Sequence, residues 1–163
     1  MIMVRVIGVG SFQGDDQAGW KVVEMVRRDL PPGVEAIAIA EPSRLLDYLE
    51  GCRKVVVIDS SRSGQPLGTI SRLVWPDTAL KAFVGETTHG LDVAGVLALA
   101  ERLARLPPNL VLFGIEGQAD KPADQMSDAV RQALPELCRR VLAEVAGPTA
   151  EEASQRPEVA TGR

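Results

Sequence analysis

The amino-acid sequence predicts an α/β/α sandwich built on a mainly parallel sheet. Three observations carry this expectation. Short runs rich in Val and Ile alternate with stretches of helical periodicity, the pattern that places helices on both faces of one sheet. The run Lys54–Ile58 is apolar at Val55, Val56, Val57 and Ile58, as a strand covered on both faces requires. Polar residues collect where such runs end: Gly8 to Asp16 after the first, Asp59 after the third.

The elements follow in order. Met3 to Gly8 is the first strand. Asp15 to Leu30 is a helix: Val22, Val23, Val26 and Leu30 recur at its spacing, with acids at the start and Arg27 and Arg28 near the end. Pro31-Pro32-Gly33 stops it, and Val34 to Ala40 is the second strand. Ser43 to Leu49 reads as a short helix closed by Gly51. Lys54 to Ile58 is the third strand and Gly68 to Trp75 the fourth, with Ile70, Leu73 and Trp75 set among polar residues. Leu91 to Leu106 is apolar on several faces, a well-buried helix that ends at Pro107-Pro108. Leu110 to Ile115 is the fifth strand. Ser127 to Val145 is the last helix, with Val130, Leu134, Leu137, Val141 and Val145 on its apolar side; Pro135 predicts a kink or a late start.

The 163 residues suit one domain, expected over 1–146. Residues 147–163 lose periodicity and large apolar side chains, so they read as a disordered tail. Lys plus Arg is 18 and Asp plus Glu 22, a net charge of −4, which offers no footprint for nucleic acid. Two Cys cannot make a disulfide framework and fit a reducing compartment. The apolar start carries Arg5 and runs into glycines, so it reads as a strand rather than a signal peptide. No run approaches the ~18 apolar residues of a spanning helix, so a soluble cytoplasmic protein is expected.

A single His excludes any site built on a His pair and leaves His89 as the one imidazole available for chemistry. In open α/β sheets, ligands bind beyond the carboxyl ends of strands where strand order reverses. If the first and third strands are neighbours, Asp16 and Asp59 face one crevice, and the loop Gly85–Gly90 brings His89 toward it. Two carboxylates and one imidazole suit a borderline divalent metal. Simpler readings compete: Asp15 and Asp16 as helix cap and dipole partner, Asp59 as a strand-end cap, His89 as a solvated loop residue.

Other chemistries fit less well. Gly8-x-Gly10 follows a strand, and Glu41 ends the second strand where a ribose-binding acid would sit, but Gln13 breaks the dinucleotide pattern. The two Asp would also meet pyrophosphate at the helix start, which argues against a nucleotide- or flavin-binding protein. No nucleophile elbow surrounds Ser11, Ser60 or Ser61. Cys52 lies at the amino end of its strand, away from the crevice, and Cys138 on the apolar face of the last helix.

Five blocks taken in order resemble the hydrogenase maturation endopeptidases. They are Val6–Ser11 with Gly14-Asp15-Asp16-Gln17-Ala18-Gly19; Val55–Asp59 with Pro66–Ile70; Thr88-His89-Gly90-Leu91 before a Leu- and Ala-rich helix; Leu110–Gly117 with Gly-Ile-Glu; and Met126-Ser127 leading to Ala133-Leu134-Pro135. The resemblance implies a five-stranded, mostly parallel twisted sheet in a three-layer sandwich, the fourth strand reversed. It implies a peptidase that removes the C-terminal extension of a nickel–iron hydrogenase large-subunit precursor after nickel insertion. It implies metal ligands at Asp16, Asp59 and His89, nickel carried by the substrate and partly held by substrate thiolates, and no organic cofactor. The attacking water is then activated either by a metal-polarised carbonyl or by a carboxylate base. Two features depart from the pattern. Ser11 stands where the family has Asn, and the loop Phe12-Gln13-Gly14 is one residue shorter. The short loop shifts Asp16 relative to Asp59 and gives Asp15 a claim to the same role, with Trp20 adding bulk nearby. A binding module or metallochaperone that holds a maturation intermediate without cutting it is the alternative. The oligomeric state stays open, with a monomer favoured.

Overall fold

Parallel strands buried on both faces need two helical layers, and the chain supplies them. The computed structural model describes residues 3–76, 92–118 and 125–148. Its strands are β1 (Val4–Val9), β2 (Val34–Ile39), β3 (Lys54–Ser61), β4 (Ile70–Val74) and β5 (Asn109–Glu116). Its helices are α1 (Ala18–Val26), α2 (Val93–Arg102) and α3 (Asp128–Ala146), with 3-10 turns at Gly14–Gln17 and Pro42–Asp47. The sheet order is β2-β1-β3-β5-β4. All neighbouring pairs are parallel except β4 with β5, so the fourth strand is the reversed one, as expected. Among the described residues no helix is long and apolar enough to cross a membrane.

Alternation along each strand divides the core in two. Val6, Val56, Ile58, Phe113 and Ile115 meet α1 and α3 through Val22, Val26, Leu137 and Val141. Ile7, Val55, Val57 and Leu110 meet Leu45, Leu49, Val96 and Leu97 on the other side. Each fully buried Val or Leu stabilises the fold by roughly 1.5–3 kcal/mol. This two-sided burial is why β3 reads as one continuous apolar run.

Several boundaries differ from the sequence expectation. The helix expected from Asp15 begins as a 3-10 turn and becomes α-helical only at Ala18. The short helix at Ser43–Leu49 is a 3-10 segment. Of the two outcomes expected of Pro135, a kink or a late start, the late start does not occur: α3 starts at Asp128 and runs through Pro135. A proline in a helix interior costs ~3 kcal/mol. The strip Val130, Leu134, Leu137, Cys138, Val141 and Val145 is buried on both sides of it, and that packing outweighs the cost. Ser127 caps the helix by accepting from the Val130 amide at 3.4 Å.

Polar devices tie the layers together at the far end from the crevice. Lys54, only 5% exposed, donates to Glu144 Oε1 at 2.6 Å and to the Glu144 carbonyl at 3.0 Å. Arg72 grips the same carboxylate with two bonds of 2.8 and 3.1 Å. The end of α3 is thereby fastened to β3 and β4. The expected tail begins at 147, and residues 149–163 lie outside the described residues.

Candidate active site

β1 is flanked by β2 on one side and β3 on the other, so strand order reverses between β1 and β3. Gly8 pairs with Ile58, and the two strands open beyond that pair to form a crevice. Asp59 sits at the carboxyl end of β3 and Asp16 in the turn that leads to α1. Both line one cavity of about 270 Å³, together with Gly10, Pro42, Ser60 and Arg62. The structure thus brings together the two carboxylates that the sequence had grouped. His89 and its loop lie outside the described residues.

Close backbone approach makes this geometry possible. A Cβ on Gly10 would stand 2.3 Å from the Asp16 carbonyl, and one on Gly8 would stand 2.2 Å from the Gly19 carbonyl. Glycines at these points let the loop fold back and let α1 press on the sheet. The Ser11 amide donates to the Asp16 carbonyl at 3.1 Å, and the Asp16 amide to the Gln13 carbonyl at 3.0 Å. The loop Phe12-Gln13-Gly14 is therefore part of a closed, hydrogen-bonded turn. Trp20 packs beside Gly10 but does not line the crevice: its indole N–H donates to the Ile39 carbonyl at 2.9 Å, and its ring meets Phe12 edge-on at 4.7 Å.

Asp15 and Asp16 part company. Asp15 is buried, and its carboxylate accepts from the Gln118 amide at 2.7 Å, the Ser127 amide at 2.7 Å and the Ser127 hydroxyl at 3.0 Å. It is committed to joining the end of β5 to the start of α3. It neither caps the first helix nor faces the crevice, which corrects both roles the sequence left to it. Asp16 is half-buried and accepts from the Ser60 hydroxyl at 3.0 Å.

Burial, with the Asp16 carboxylate next, pushes the Asp59 carboxyl up from its usual 3.8 to about 7. The Ser60 backbone amide and Arg62 pull it back, and Asp92 pushes it further up. Asp92 caps α2, accepting from the Gly95 amide at 2.9 Å. Ser60, Arg62 and Asp92 were not singled out as site residues. Ser60 follows Asp59 directly and offered an adjacency signal. Asp92 became visible only once α2 was placed beside β3.

A second buried acid supports the crevice from behind. Glu116 accepts from the Ser61 and Ser63 hydroxyls at 3.0 and 2.8 Å and from the Ser63 and Gly64 amides at 2.7 and 2.9 Å. Burial alone would push its carboxyl up; these hydrogen bonds outweigh burial and hold it below the usual range. The loop bearing Arg62 is set by this carboxylate. Cys52 and Cys138 are buried free thiols, and burial pushes the Cys138 thiol up to about 11, far from a nucleophile's range. Among the described residues no group of three metal-ligating side chains forms.

Fold and site together define a doubly wound α/β protein with an acidic crevice at its switch point. A family model described as hydrogenase maturation protease, HycI, matches residues 21–144, and the chain belongs to that family. It is a peptidase of hydrogenase maturation. The matched span includes Asp59 and begins after Asp16. Among solved structures, the hydrogenase 2 maturation peptidase of a Thaumarchaeota archaeon is 28% identical, with 88% of this chain and 97% of that chain covered at a TM-score of 0.67. The hydrogenase maturating endopeptidase HybD of E. coli is 24% identical, covering 88% and 92% at a TM-score of 0.73. An endopeptidase from Escherichia coli is 23% identical, covering 94% and 99% at 0.76. These last two likenesses show the fold. No curated protein matches the chain significantly.

Proposed function

We propose that this peptidase cuts the C-terminal extension from the large-subunit precursor of a nickel–iron hydrogenase, once nickel has been inserted. The nickel belongs to the substrate. Asp16, Asp59 and His89 complete its coordination alongside substrate thiolates, so metal loading becomes the licence to cut. No organic cofactor takes part, and the setting is cytoplasmic, with the protein acting as a monomer.

One observation carries this reading: Asp16 and Asp59, from separate elements, line the same crevice at the switch point. Two carboxylates with an imidazole make a mixed oxygen and nitrogen donor set suited to a borderline divalent metal. Ser60 orients Asp16, as an outer-shell donor orients a ligating carboxylate. Negative charge at this point disfavours a pyrophosphate, which argues against a nucleotide site.

The test is to incubate purified protein with nickel-loaded and nickel-free precursor and to weigh the precursor's C-terminus by mass spectrometry. Shortening is expected for the loaded form alone. His89→Ala and Asp59→Asn are expected to slow it by about 100-fold or more. A loaded precursor that stays bound but uncut identifies the metallochaperone alternative. Wild-type processing by His89→Ala removes His89 from the site.

A further inference from the structure

A cavity of about 280 Å³ lies on the β4 side of Asp59, opposite the acidic crevice. Its floor follows from the strand register. Asp59 pairs with Gly114, and Gly114 with Ser71, so these three form one row across the sheet. Leu112 and Leu73 pair in the row beneath and form an apolar floor. Val93 and Ala94 of α2 make the wall. Leu112 is only half-buried although its chain neighbours Val111 and Phe113 are buried, so the floor faces open space. Glycine keeps the middle row shallow: a Cβ on Gly114 would stand 2.6 Å from Ser71 Oγ. Asp59, Ser60 and Arg62 line both this cavity and the acidic crevice, so the two are adjacent.

We propose that this cavity is a specificity pocket that takes one aliphatic side chain of the precursor, from a residue next to the cleaved bond. The inference rests on the proposed processing of a hydrogenase precursor. Leu73, Leu112, Val93 and Ala94 give the cavity an apolar surface, so an aliphatic group gains by burial against them, while Asp59, Arg62 and Asp92 supply the charged part of the lining. A side chain seated here brings its own backbone over Asp59. Leu73, Leu112, Val93 and Ala94 then set substrate preference without touching the metal.

The experiment uses nickel-loaded precursors in which each of the two residues on either side of the cleaved bond is changed in turn to Gly, Ala, Leu or Phe. For the wild-type enzyme, one position is expected to prefer Leu, with kcat/KM on the order of 10- to 100-fold above Gly. Leu73→Phe, which fills the pocket, is expected to invert that ranking at the same position toward Gly and Ala. Should Leu73→Phe fail to melt as a folded protein, Leu73→Ala takes its place and is expected to shift preference toward Phe. A flat profile at all four positions, or a ranking that a folded pocket variant leaves unchanged, overturns the pocket while the processing activity stands. A wild-type enzyme that cuts no loaded precursor overturns the processing reading itself, and the pocket with it.

Discussion

Asp59 holds its charge at a cost. Its carboxyl is raised to about 7 by burial and by Asp16, whereas an unfolded chain ionises it near pH ~4. Between those values the folded protein keeps a proton that the unfolded chain has lost. The Asp59 contribution to stability therefore falls as pH rises from about 4 to about 7, and is level above that. Asp59→Asn is expected to raise the melting temperature at pH 8 and to leave it nearly unchanged at pH 4; a gain that does not grow with pH contradicts the assignment. Glu116 shows the opposite case. Its carboxylate satisfies four donors, and Glu116→Ala leaves the Ser63 and Gly64 amides and the two serine hydroxyls without that partner. A loss of ~2–3 kcal/mol in urea unfolding is expected, and a loss below ~0.5 kcal/mol would show that water replaces the carboxylate. The sequence named Asp15, Asp16 and Asp59 but could not divide their labour. Adjacent acids look alike in a sequence; only the placement of Ser127 and Gln118 around one of them separates a fastening from a site.

At the scale of elements, two ends decide how the helices sit. The end of α2 carries a Schellman arrangement: the Ala104 amide donates to the Glu101 carbonyl at 3.1 Å and the Arg105 amide to the Ala100 carbonyl at 2.9 Å. Ala104 occupies the position that glycine normally fills, at φ 55°. Ala104→Gly is expected to stabilise the protein by ~1 kcal/mol, read as a higher melting temperature. That turn also explains why α2 ends at Arg102, before the Leu106 that the apolar pattern suggested. The end of α3 rests on Glu144, whose carboxylate neutralises buried Lys54 and binds Arg72. Glu144→Ala leaves Lys54 charged in the interior, and ~3 kcal/mol of lost stability is expected by denaturant titration. The double variant with Lys54→Met is expected to recover part of that loss.

At the scale of the molecule, layers meet where backbones can touch. A Cβ on Gly8 would collide with the Gly19 carbonyl of α1 at 2.2 Å and with Val23 at 2.8 Å. Gly8→Ala is expected to cost ~3 kcal/mol and to slow precursor processing as well, because moving α1 also moves Asp16. A variant of normal stability and rate would show that α1 can shift freely. The strand and helix order, the two-sided burial of β3 and the grouping of Asp16 with Asp59 were legible in the sequence. Each leaves a local or periodic trace: alternation, an apolar run, acids at element ends. The tertiary structure alone decided that β4 lies beside β5, that Asp15 turns inward, that Asp92 joins the field around Asp59, and that an apolar cavity opens next to the crevice. Those facts depend on contacts between residues far apart in the chain, such as Asp15 with Ser127 and Leu73 with Leu112. Short-range patterns record which face of an element is buried, but not which distant element covers it.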